Sequence, residues 1–133
     1  LLKQFGIKND VFYADLNWDN LFELVKRSST KYNGIPKFPS VRRDLALVVD
    51  KETGFESLKS IALKSERLLL KEVGVFDVYE GKGMEEGKKS YAMSFKFRDE
   101  NKTLTDKVVD KSMKRIYEQL VKQGGAKLRS GEI

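Results

Sequence analysis

Between Ser90 and Arg98 the chain alternates without a break. Tyr91, Met93, Phe95 and Phe97 fall on one parity, and Ser90, Ala92, Ser94 and Lys96 on the other. Successive side chains of a strand point to opposite faces, so this segment demands a sheet with one large apolar side and one small or polar side. Four bulky apolar groups in a row need a covering layer. The opposite face has too little apolar volume to make a second core. Any fold for this chain must bury one face of a sheet and leave the other wet or covered by a ligand.

Two further segments fit the same sheet. From Phe38 to Asp50 the sequence is Phe-Pro-Ser-Val-Arg-Arg-Asp-Leu-Ala-Leu-Val-Val-Asp. Pro39 cannot donate to a ladder and belongs just before the strand. Leu45, Leu47 and Val49 then share the covered face, and Asp44, Ala46 and Val48 the other. Val73 to Glu80 reads as another strand, with Phe76 and Val78 expected on the covered side and Val75, Asp77 and Tyr79 on the open side.

Helical periodicity fills the gaps. A helix opened by Thr53 or Gly54 carries Leu58, Ile61, Ala62, Ser65 and Leu69 on one stripe. A second, capped by Thr103 or Thr105, turns Val109, Met113, Ile116 and Leu120 inward and stops at Gly124-Gly125. Ala126 to Ser130 supplies a last short strand. The order strand, helix, strand, strand, helix, strand predicts an α+β fold: a ferredoxin-like split βαβ sandwich, a four-stranded antiparallel sheet with both helices on one face.

The first 30 residues stand apart. Val11 to Leu16 reads as a strand, and Asn17 caps a helix in which Trp18, Leu21, Phe22 and Val25 recur at helical spacing. One strand and one helix cannot bury their own apolar faces, so the segment docks either on the body of a larger protein or on the domain that follows. Residues 31–39 read as a linker with turn chemistry at Asn33-Gly34, and residues 40–133 as the ferredoxin-like domain. The chain opens on Leu1 without an initiator methionine, as a fragment would.

Composition narrows the chemistry. The 133 residues contain no cysteine and no histidine, which argues against disulfides, thiolate nucleophiles, imidazole acid–base catalysis and the usual zinc sites. No catalytic and no metal-binding residues are expected. A formal charge of +6 suits a polyanionic partner or simply a basic soluble surface. No apolar run approaches the roughly 20 residues of a membrane span, and no signal peptide is evident. Gly81, Gly83 and Gly87-Lys88 do not make a phosphate loop, because the spacing is wrong and a strand follows where a helix is needed. Asn101-Lys102-Thr103 matches a glycosylation sequon by chance. The open face carries Tyr79 amid Ala46, Ser90 and Ala92, which leave room for a flat base to stack, with Asp77 able to accept from a base edge. A solvated tyrosine with no partner satisfies the same pattern.

Residues 36–133 resemble the ferredoxin-fold anticodon-binding domain that closes the beta subunit of bacterial phenylalanyl-tRNA synthetases. The blocks that carry the resemblance are Pro36-x-Phe38-Pro39-Ser40-Val41-Arg42-Arg43-Asp44-Leu45-Ala46, Phe76-Asp77-Val78-Tyr79-Glu80-Gly81, Gly87-Lys88-Lys89-Ser90, Arg98-Asp99 with Thr103-Leu104-Thr105-Asp106, and Gly125-Ala126-x-Leu128-Arg129. Residues 1–30 are similar to the tail of the catalytic-like module that precedes this domain. The resemblance implies a cytoplasmic heterotetramer of alpha and beta subunits that uses ATP and magnesium to charge phenylalanine tRNA, with the active site on the alpha subunit. It implies no cofactor in this chain itself. It implies anticodon contact, chiefly with the first base, through Ala46, Asp77, Tyr79 and Ser90. The competing reading of the topology is a small-molecule regulatory domain of the amino-acid-sensing kind, which has no need of the Arg42-Arg43-Asp44 block.

Overall fold

The computed structural model describes residues 2–26, 29, 31–32 and 34–129. It divides into two compact units, Leu1–Ile35 and Pro36–Ile133. Asn33 and Ser130, which enter the expected linker turn and last strand, lie outside the described residues.

In the first unit a 3-10 turn at Leu2–Phe5 precedes the helix α1, Trp18–Lys26. Asn17 caps α1 as expected: its Oδ1 accepts from the Asn20 amide at 3.0 Å. Trp18 and Phe22 meet edge to face at 5.6 Å between centroids. Residues 11–16, expected as a strand, take no regular secondary structure. A ladder needs a second strand, and the described residues of this unit supply none. Every residue of α1 is exposed, and so are Val11, Phe12, Tyr13 and Leu16.

The second unit has β1 (Val41–Asp50), α2 (Phe55–Ser65), β2 (Leu70–Tyr79), β3 (Lys88–Phe97), α3 (Asp106–Gly124) and β4 (Lys127–Leu128). The strands are antiparallel in the order β2-β3-β1-β4, the split βαβ arrangement. β1 and β3 pair without a break, Val41 opposite Phe97 through Asp50 opposite Lys88. Their shared parity buries Leu45, Leu47, Val49, Tyr91, Met93, Phe95 and Phe97 against Leu58, Ile61 and Ala62 of α2 and Val109, Met113, Ile116 and Leu120 of α3. Both helices therefore cover one face. Gly125 ends α3 in the left-handed region, φ 61°, where a residue without Cβ is favoured.

The tandem arginines split between the faces. Arg43 reaches the first turns of α3, its guanidinium 2.6 Å from Asp106 and 3.4 Å from Asp110. Arg42 stays on the open face with Asp44, at 2.8 Å.

The helix α2 is shorter than its stripe suggested. It ends at Ser65, and Leu69 lies beyond it. Glu66 is the cause: its carboxylate accepts from the amides of Leu68 and Leu69, both at 3.3 Å, and turns the chain into a strand that begins at Leu70 rather than Val73.

The strand β2 departs most from simple alternation. Its register against β3 slips between Leu70 and Glu72 and again between Val75 and Asp77. A bulge adds one residue to one strand and resets which face each later residue takes. Val75, expected on the open face, packs against the core. Phe76, expected in the core, is exposed under the Arg42 guanidinium on the open face. Val78 is also largely exposed, on an edge strand that the helices do not fully cover. Asp77 and Tyr79 keep the open face, opposite Ala92 and Ser90.

Candidate nucleic-acid interface

The open face is built row by row from the strand register. Tyr79, Ser90 and Val48 lie side by side across β2, β3 and β1, with Lys127 of β4 next to Val48. The next row is Asp77, Ala92 and Ala46, and beyond it the Arg129 amide donates to the Ala46 carbonyl at 2.9 Å. The four residues expected from the sequence, Ala46, Asp77, Tyr79 and Ser90, thus occupy two adjacent rows.

Tyr79 is held at both ends. Its hydroxyl donates to the Lys82 carbonyl at 2.8 Å. Its ring faces the Arg129 guanidinium, 4.9 Å from the centroid, a cation–π distance. Arg129 starts on the β4 side of the sheet and Tyr79 on the β2 edge, so their contact spans β1 and β3. Only small side chains in those strands permit it, which is the physical role of Ala46, Ala92 and Ser90. Ser90 sits deeper than expected, at 2% exposure. Gly81 matters for the same placement. A Cβ there would come within 3.2 Å of the Tyr79 hydroxyl and 3.4 Å of the ring.

Asp77 is exposed, and none of the hydrogen bonds or ion pairs among the described residues uses its carboxylate. It differs in this from Asp44, whose hydrogen bond to Arg42 raises the guanidinium pKa. A carboxylate left free beside an aromatic face can accept from a ring N–H and an exocyclic amine together. Among the described residues no three His, Cys, Asp or Glu side chains converge as a metal site. Among the described residues no helix is long and apolar enough to cross a membrane.

Two residues of this face escaped the sequence reading. Arg129 was visible only as the partner of Leu128, because a two-residue strand offers almost no alternation to count. Phe76, expected on the covered face, is turned to the open face by the bulge.

The profile of the ferredoxin-fold anticodon binding domain matches residues 36–129, the unit that carries this face. The chain belongs to that family. The phenylalanine–tRNA ligase beta subunit of Bacteroides fragilis is 50% identical over 129 residues, 97% of the chain and 16% of its own length. The beta subunit of Bacteroides thetaiotaomicron is 51% identical over the same span. That of Bacillus cereus is 41% identical over 127 residues, 96% of the chain. The chain thus spans about one-sixth of these relatives, 16% of each. Membership of an anticodon-binding family favours the nucleic-acid reading of the topology over the amino-acid-sensing one.

Proposed function

We propose that this chain is the anticodon-reading end of a phenylalanine–tRNA ligase beta subunit, and that Ala46, Asp77, Tyr79 and Ser90 hold the first anticodon base of phenylalanine tRNA. The supporting observation is the Tyr79 ring beside the partnerless Asp77 carboxylate over a floor of alanine and serine. Guanine, the base expected at that position, offers N1–H and an exocyclic amine, the two donors a carboxylate accepts together. Arg129 adds a second planar group. At 4.9 Å it now occupies the tyrosine face. A base between the two needs about 7 Å, two van der Waals spacings. The guanidinium therefore retreats by about 2 Å and becomes the other slab of a sandwich.

The parent enzyme acts in the cytoplasm as a heterotetramer with alpha subunits. ATP and magnesium serve aminoacylation on the alpha subunit, and this chain supplies recognition alone.

Tyr79→Ala is expected to weaken an anticodon stem-loop by about 1–3 kcal/mol whichever base stands first, because stacking tolerates any base. Asp77→Ala is expected to weaken only the guanine-bearing loop, leaving adenine and uracil loops nearly unchanged. Asp77→Asn, which keeps the shape, loses part of the preference. The measurement is stem-loop affinity at one fixed salt concentration, since lysine–phosphate contacts vary steeply with salt. Equal weakening of all four loops by Asp77→Ala would mean that the carboxylate shapes the sheet and reads no base.

Residues 1–30 are the end of the preceding catalytic-like module in this reading, and residues 31–39 are its link to the anticodon-binding domain. The exposed apolar side chains of α1 and of residues 11–16 suit that origin. Residues 36–133 produced alone are then expected to unfold cooperatively, because the four strands and two helices share one core. A broad, non-cooperative urea transition would make the first unit part of that core.

A further inference from the structure

The bulge in β2 turns a second aromatic ring onto the open face. Phe76 is 57% exposed, and the Arg42 guanidinium lies 5.3 Å from its centroid. This repeats the Tyr79–Arg129 arrangement three residues along the strand, at about 3.3 Å per residue. Arg42 also lines a shallow cavity of about 320 Å³ with Ser40, Glu72, Ser94 and Lys96, so it joins the Phe76 ring to that hollow. We propose that Phe76 and Arg42 form a second nucleotide subsite, which stacks the base adjacent to the first anticodon base. The inference rests on the open face being the RNA-binding face.

The charges favour a base over a bare phosphate. Arg42 pairs with Asp44 at 2.8 Å, and Lys96 with Glu72 at 3.5 Å, so little net positive charge is left to draw an anion. What the site offers is the aromatic plane of Phe76 and the guanidinium plane of Arg42, with the Ser40 and Ser94 hydroxyls in the cavity that Arg42 lines. Aromatic rings and guanidinium planes are the surfaces on which unstacked RNA bases lie, and successive bases take successive platforms. The position of Phe76 also argues for use. An apolar ring this exposed contributes little to the core, and the bulge that exposes it leaves Asp77 and Tyr79 in place beside it.

The test is a binding cycle with the 133-residue chain and the anticodon stem-loop of phenylalanine tRNA. The intact loop is compared with loops abasic at the nucleotide on either side of the first anticodon base. Phe76→Ala is expected to weaken the intact loop about tenfold. One of the two abasic loops should bind wild-type protein about tenfold more weakly and lose almost nothing further with Phe76→Ala. Phe76→Trp, which keeps a stacking plane, should restore affinity. If Tyr79→Ala weakens the intact loop while Phe76→Ala changes it less than about twofold, the second subsite is overturned and the first stands. If neither substitution weakens it, the open-face reading itself fails. If Phe76→Ala and both abasic changes are additive, the ring stacks on neither neighbour and the proposal is overturned. It is equally overturned if Phe76→Ala abolishes self-association of the chain and leaves RNA affinity intact.

Discussion

Phe95→Ala is expected to destabilise the domain by about 3–5 kcal/mol, and to change RNA affinity only through the fraction unfolded. Phe95 is 0% exposed on β3, flanked by Arg43 of β1 and Val73 of β2. Helices above and strands on both sides leave the lining no direction in which to collapse, so the lost ring becomes a cavity. A domain of this size has about 5–15 kcal/mol in total, and the variant would keep only part of it. Urea unfolding measures the loss, and stem-loop titration below the transition measures binding by the folded fraction. Its neighbour Ser94 points to the open face, so the two readouts should separate along one strand. A loss below about 1 kcal/mol would mean that α2 and α3 close over the gap.

How much of this could be read from the residues depended on how regular each strand is. β1 and β3 pair over ten residues each without a slip, so parity counted from Leu45 or Tyr91 stays true along the whole strand. That regularity made the core and the small floor of Ala46, Ser90 and Ala92 legible. β2 has two slips, and nothing in Val75-Phe76-Asp77 marks the second one, because an apolar pair reads alike with or without a bulge. The residues after the slip came out right, since Asp77 and Tyr79 share a parity of their own. Phe76, at the slip, did not. Arg129 was hidden for a different reason. Its strand is too short to show a period, and it joins the site only by reaching across two other strands to Tyr79. Val11 to Leu16 shows the opposite error, strand-forming residues for which the described residues supply no partner to complete a ladder.

Glu66→Ala is expected to cost about 2–3 kcal/mol of stability, more than most single changes on the open sheet face. Glu66 is 4% exposed at the junction of α2 and β2, and one carboxylate holds four donors. One oxygen accepts from the amides of Leu68 and Leu69. The other accepts from the Ser112 hydroxyl at 2.9 Å and from the Arg115 guanidinium. Arg115 is 55% exposed and regains water when its partner goes, so the cost falls on Ser112 and the two amides. Burial alone would raise the Glu66 pKa, but the Ser112 and Leu69 hydrogen bonds, the Arg115 charge and the Leu68 amide together bring it below the ordinary value of 4.5. A carboxyl with a depressed folded pKa contributes stability that is present above the unfolded pKa and lost as pH falls through the folded one. The wild-type domain should therefore lose stability on acidification below about pH 4.5. Glu66→Gln keeps the shape and removes the charge, so its stability at neutral pH should be lower and its acid dependence shallower. Parallel urea titrations of both proteins from pH 7 to pH 3 measure the difference; superimposable slopes would place the acid-sensitive group elsewhere. Because Glu66 binds α3 through Ser112 and the start of β2 through the chain turn, its protonation should also loosen the strand that carries Phe76, Asp77 and Tyr79, and stem-loop affinity should fall as the pH drops through the depressed folded value.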